Sequence, residues 1–129
     1  IIAGGYACAL HGHIRNTNDI DILVHNTDEN LTKVITCIKI LFPDIKEEIT
    51  VSDIQENIVL KVIDDFEIDI TIQAWEIDYP TAKMDLNVIT INEVLIPFLG
   101  IDSLIKSKNT MREIDQWDVK ILSEIKKKK

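Results

Sequence analysis

The strongest constraint on this chain is a short alternation that occurs twice. Asp19-Ile20-Asp21-Ile22-Leu23-Val24 sets acids against apolar residues before turning wholly apolar, and Phe66-Glu67-Ile68-Asp69-Ile70 repeats the grammar. Successive side chains of a strand point to opposite faces, so Asp19 and Asp21 project together while Ile20 and Ile22 enter a core. Both segments read as half-buried strands. Two neighbouring carboxylates repel unless a cation neutralises them, and hard oxygen ligands at this spacing suit Mg²⁺. An exposed edge strand with two solvated acids fits the same residues. If the second strand lies beside the first, a third carboxylate joins the pair. Three acids can bracket two metal ions roughly 4 Å apart, the arrangement used for in-line displacement at phosphorus. Spacing alone does not choose between Glu67 and Asp69.

The remaining elements follow from periodicity and turn chemistry. Ile1-Ile2-Ala3 reads as the end of a short strand, Gly4-Gly5 as a turn and Tyr6 to His11 as a helix, with Gly12 as its stop. A glycine pair here lets backbone N–H groups approach an anion closely, although a strand-to-helix turn without a ligand looks the same. Leu31, Val34, Ile35, Ile38 and Leu41 form an apolar helical stripe, with Thr27 as N-cap and Pro43 as stop. Ile58 to Ile63 and Phe66 to Ile72, separated by Asp64-Asp65, predict an antiparallel hairpin. Val88 to Ile96 predicts one or two further strands ending at Pro97. Beyond Gly100 the pattern is helical. Thr110-Met111-Arg112-Glu113 has capping-box spacing, and Ile114, Trp117, Ile121, Leu122 and Ile125 form the stripe of the last helix. Asp115 and Asp118 fit that helix's wet face. Trp75 and Tyr79 could stack on a base, but Trp75 is expected in the core. The expected architecture is α/β (α+β), a mixed sheet flanked by helices in a single small domain spanning 1–129.

Gly4-Gly5, thirteen intervening residues, Asp19-Ile20-Asp21-Ile22 and a later Ile68-Asp69-Ile70 together resemble the signature of the polymerase-β-like nucleotidyltransferase superfamily. The string from Gly4 to Asp21 looks like its minimal bacterial branch, which includes the AbiEii-type toxins, and Arg15 and Thr17 sit where that branch usually carries Arg and Thr. Leu104-Ile105 followed by Lys108, Arg112, Asp115 and Asp118 is similar to the helical segment after its last core strand. The resemblance implies a nucleotidyltransferase moving a nucleoside monophosphate from a nucleoside triphosphate to a hydroxyl of a protein, RNA or small molecule. Asp19, Asp21 and Asp69 would be the metal ligands for two Mg²⁺ ions, with Asp69 also activating the acceptor. Gly4, Gly5, Arg15, Thr17, Lys108 and Arg112 would hold the nucleotide. His11 and His13 are assigned no role. The alternative is a non-catalytic interaction module of the same fold, for example one component of a toxin-antitoxin pair.

Charge and composition narrow the partners. A net charge of -8 repels a polyanion over most of the surface and argues against a sequence-reading duplex DNA binder. No apolar run approaches the roughly 20 residues a membrane span needs. Cys8 and Cys37 are the two cysteines, both expected on apolar helix faces, which makes a reducing, cytoplasmic compartment the simpler expectation. Lys126 to Lys129 reads as a solvated basic tail. Because the chain begins at Ile1 inside an apolar stretch, its natural N-terminus is expected upstream.

Overall fold

A computed structural model describes residues 1–57 and 59–129. Its main sheet has six strands in the order β3-β4-β2-β1-β8-β7. They are β1 (Ile2–Ala3), β2 (Asp19–Leu23), β3 (Leu60–Ile63), β4 (Glu67–Thr71), β7 (Asn87–Ile91) and β8 (Val94–Phe98). A separate two-stranded ribbon joins β5 (Gln73–Ala74) to β6 (Ile77–Asp78). Six helices accompany them: α1 (Gly4–Leu10), α2 (Asp28–Leu41), α3 (Val51–Glu56), α4 (Tyr79–Ala82), α5 (Ile101–Ser107) and α6 (Glu113–Lys127). The sheet is mixed, since β2 runs parallel to β4 and β1 parallel to β8 while the other pairs are antiparallel.

Each face of the sheet carries its own core. Ile68, Ile70 and Val62 meet Leu31, Ile35, Ile38 and Phe42 of the α2 region and Ile54 of α3. Ala3 and Leu23 meet Ala7 and Cys8 of α1, Leu104 of α5 and Leu122 of α6. Period-2 alternation in β2 and β4 therefore sorts isoleucines to the first face and acids to the second.

Several expectations hold with adjusted limits. Thr27 caps α2 by accepting from Asn30 N at 3.2 Å. Within the stripe, Leu41 is 54% exposed and Phe42 takes the buried place. The β3–β4 hairpin forms as expected, although the expected strand start at Ile58 lies outside the described residues. The strand expected to stop at Pro97 continues to Phe98, because Val88 pairs with Pro97 and β1 joins only at Phe98. The turn between β7 and β8 uses Asn92 and Glu93, both with positive φ, the conformation that matches strand twist in two-residue hairpins.

Other expectations do not hold. The capping box at Thr110 is absent. Arg112 is the N-cap of α6 without a side-chain bond, and the Thr110 hydroxyl instead donates to Asp115 at 2.5 Å. The helix buries Asp115, Asp118 and Leu122, while Ile114 and Trp117 are exposed. Cys37 is exposed on α2, whereas Cys8 is buried. Lys126 and Lys127 are the last turn of α6 rather than a tail, and Lys126 pairs with Asp102 at 2.5 Å. No helix among the described residues is long and apolar enough to cross a membrane.

Candidate metal and nucleotide site

Register brings the acids together. In the parallel β2–β4 ladder Asp19 lies opposite Glu67 and Asp21 opposite Asp69, so all four carboxylates share one face. Asp19, Asp21 and Asp69 each offer an oxygen within 4.8 Å of the others. Ligands on opposite sides of one Mg²⁺ stand roughly 4 Å apart, so a contraction of less than an ångström, or a second ion, would accommodate the set. Glu67, two residues back along the strand, reaches Lys61 at 3.6 Å and is not one of the acids that meet within 4.8 Å, so the cluster contains Asp69 rather than Glu67.

Lys61 is a neighbour that spacing along the chain did not reveal. It lies directly across the antiparallel β3–β4 ladder from Asp69. Its Nζ is 2.9 Å from Asp69 Oδ1 and 3.6 Å from both Asp19 and Glu67. The Asp69 contact is an ion pair without hydrogen-bond alignment, leaving that buried oxygen with no well-formed hydrogen bond among the described residues. Contact with Asp69, and then its charge and those of Glu67 and Asp19, pushes the Lys61 ammonium up to about 12. A hydrogen bond with Asp69 holds the Asp19 carboxyl below the usual range, whereas burial and that same contact raise Asp69. Asp21 makes no ion pair among the described residues. Burial, then the charges of Asp19 and Asp69, pushes it up to about 6. The charges of Lys108 and Lys61 act the other way but leave the three acids incompletely neutralised.

The glycine turn is shaped by the acids. Gly4 has φ 61°, a left-handed conformation, and a Cβ there would run into the Asp21 carboxylate. At Gly5 a Cβ would lie 2.6 Å from Thr17 Oγ1 and 3.3 Å from an Arg15 nitrogen. Gly5, Arg15, Thr17, Asp19, Asp21, Asp69, Lys108 and Arg112 all line one cleft of about 250 Å³. Every residue the sequence assigned to metal or nucleotide therefore lies here, except Gly4, which lines the continuation of the cleft past Asp21.

A second polar centre supports the cleft wall. Asp118 is 0% exposed, accepts from Arg15 Nε and Nη2 at 2.8 Å each and from His13 Nε2 at 2.9 Å, and pairs with the Lys108 ammonium at 3.0 Å. Burial pushes its carboxyl up, but the bonds from Arg15 and Lys108, the Lys108 charge and the bond from His13 outweigh burial and hold it at about 2. Asp115 adds contacts to Lys108 at 3.5 Å and to Arg112 at 3.8 Å. The helix face expected to be wet is a buried anchor. His13 gains a structural partner, and the other unassigned histidine, His11, donates to Leu99 O at 2.7 Å. Trp75 is not in the core. It is 56% exposed and lines the continuation of the cleft, while Tyr79 stacks on His25 elsewhere, with ring centroids 4.9 Å apart. The signal that could have exposed the anchor is the spacing of Asp115 and Asp118 with Leu122, a single helical face.

No family model and no curated protein matches this chain, so its site is interpreted from its geometry.

Proposed function

We propose that the chain is a Mg²⁺-dependent nucleotidyltransferase that moves a nucleoside monophosphate from a nucleoside triphosphate to a hydroxyl acceptor. The observation that carries this reading is the meeting of Asp19, Asp21 and Asp69 on one sheet face beside the Gly4 turn. The residues suit the ion: all three donors are carboxylate oxygens, the set is under-neutralised, and one buried Asp69 oxygen lacks a well-formed hydrogen bond. Asp19, Asp21 and Asp69 would hold Mg²⁺, which when bound supplies charge neutralisation for the triphosphate and lowers the acceptor's pKa.

In the transfer, the acceptor oxygen bonds to the α-phosphorus as the bond to the bridging oxygen breaks, and pyrophosphate leaves with that electron pair. Asp69, which lines the cleft beside the other two acids, would take the hydroxyl proton. Lys108 and Arg112 present cations along the cleft wall toward the departing phosphates. Lys108 is fixed by Asp118, so little reorganisation remains for the reaction itself. Arg15 is held by the same carboxylate at the glycine end.

A non-catalytic interaction module, such as one half of a toxin-antitoxin pair, draws on one specific observation. Lys61 already places an ammonium against the acids, so the cluster is partly balanced without a metal. Thermal melts separate the two readings, because a ligand that binds only the native state raises its melting temperature. The expected outcome is a rise with Mg²⁺ plus a nucleoside triphosphate, and labelled transfer to an acceptor in cell extract. Asp19→Asn and Asp69→Asn should each abolish both while still melting cooperatively. A wild-type protein that shows neither shift nor transfer with any of the four common triphosphates leaves the interaction module standing.

A further inference from the structure

Three of the exposed apolar side chains gather in one place. Val59, Trp75 and the 92% exposed Met111 line a cleft of about 500 Å³ that continues from the acid cleft, sharing Asp21, Val59, Lys108, Arg112 and Asp115 with it. Trp75 holds an unusual position there. It opens the two-residue turn between Ala74 and Ile77 with φ 57°, where two-residue turns of type II′ ordinarily carry glycine. A bulky residue in this conformation is strained, and burial of its ring does not compensate, because the ring is mostly exposed. The Gln73 side chain donates to the Trp75 carbonyl at 3.0 Å and holds the turn. Strain kept for an exposed aromatic beside a candidate site points to a ligand.

We propose that this apolar half of the cleft is a nucleobase subsite, in which the planar base of the nucleoside triphosphate lies on the Trp75 ring with Val59 and Met111 beside it. The inference rests on the nucleotidyltransferase reading and adds the base as its second anchor. Continuity identifies the occupant: the apolar end is joined to the acids by Lys108 and Arg112, and a nucleotide carries an apolar ring joined to polyphosphate in the same order. Every base has a π-face, so stacking on Trp75 tolerates all four. Little discrimination among the triphosphates is expected.

The chain has two tryptophans, and Trp117 on α6 lies outside both clefts, so Trp117→Phe leaves Trp75 as the sole fluorophore of this type. In that background, nucleoside triphosphates with Mg²⁺ should quench fluorescence, and calorimetry should show them binding more tightly than inorganic tripolyphosphate with Mg²⁺. Trp75→Ala should weaken triphosphate binding by roughly tenfold, a loss typical of removing one stacking partner, and leave tripolyphosphate binding unchanged. Trp75→Phe should restore most of the difference. Trp75→Gly, which suits the positive φ, keeps the comparison readable should the alanine variant fold poorly. Equal affinity for nucleotide and tripolyphosphate in the wild type, or an unaffected Trp75→Gly variant, overturns the subsite while leaving the phosphate site intact. Binding of neither ligand overturns the nucleotidyltransferase reading, and the subsite falls with it.

Discussion

Two carboxylate centres lie on the same side of the sheet, and they have opposite characters. Asp118 is surrounded by Arg15, Lys108 and His13, and its charge is fully met by the protein. Asp21 faces two further acids and makes no ion pair among the described residues. The first carboxyl is held at about 2 and the second is pushed up to about 6. A buried charge with every partner in place is a structural anchor. A cluster that the fold assembles and leaves short of counter-ions is a candidate site, and the proposed reading assigns the missing charge to a bound cation.

The largest effect should come from the anchor. Asp118→Ala removes the fully buried carboxylate that Arg15, Lys108 and His13 share, and breaking a buried pair costs up to about 3–5 kcal/mol, less here because Arg15 reaches the open cleft. That is a large share of a small domain's stability. Chemical denaturation should register it directly. A variant within about 0.5 kcal/mol of wild type, the range of an ordinary surface substitution, would remove the contrast between the two centres.

Acidity should separate them next. With chelator present, the folded-state pKa of Asp21, about 6, lies above its ordinary 3.8, so the folded protein binds this proton more tightly than the unfolded chain does. Stability should therefore rise as pH falls from above 6, the gain being complete near pH 4, by about 1 kcal/mol once solvent screening of this partly exposed group is allowed for. Asp118, at about 2, acts in the other sense. Its contribution is full above its ordinary 3.8 and is lost as pH falls toward 2. Urea titrations across this range should show stability rising and then falling, and Asp21→Asn should flatten only the upper limb. An upper limb that persists in Asp21→Asn would assign that proton to another group.

The smallest effect concerns Lys61. Lys61→Met removes an ammonium that sits beside the three acids, so the affinity for Mn²⁺, measured by calorimetry, should tighten a few-fold. Weaker binding would make Lys61 a support of the cluster rather than a competitor.

The acid cluster was partly legible because its two strands alternate with period 2, which puts Asp19 with Asp21 and Glu67 with Asp69, while the choice of Asp69 came from the resemblance and the meeting of the strands from the fold. The anchor was not, because an amphipathic reading of α6 sends Asp115 and Asp118 to water and Trp117 inward, the reverse of what the helix does. Charge pairing with Arg15, about 100 residues away, overrode hydrophobic periodicity; the spacing of Asp115, Asp118 and Leu122 marks one helical face, but no local window contains the partner that makes it the buried one. Lys61 escaped for a related reason. Its partner lies across a hairpin, and only register puts it opposite Asp69. Trp75 departs from the burial usual for tryptophan because it sits in a turn of positive φ with its ring 56% exposed.

The parallel pairing of β2 with β4 also bears on the order in which the molecule can assemble. Asp21 meets Asp69 only after the chain has closed a loop of roughly 50 residues through α2, α3 and β3, a separation whose entropy must be met before the contact returns anything. The hairpin of β3 with β4 is local and can form early, carrying Lys61 and Asp69 as a preassembled pair. On that account the carboxylates of β2 are expected to join after the hairpin. A cation held by all three acids has no binding site in a half-assembled chain, so its stabilisation falls on the finished molecule: it should slow unfolding and leave the rate of folding nearly unchanged.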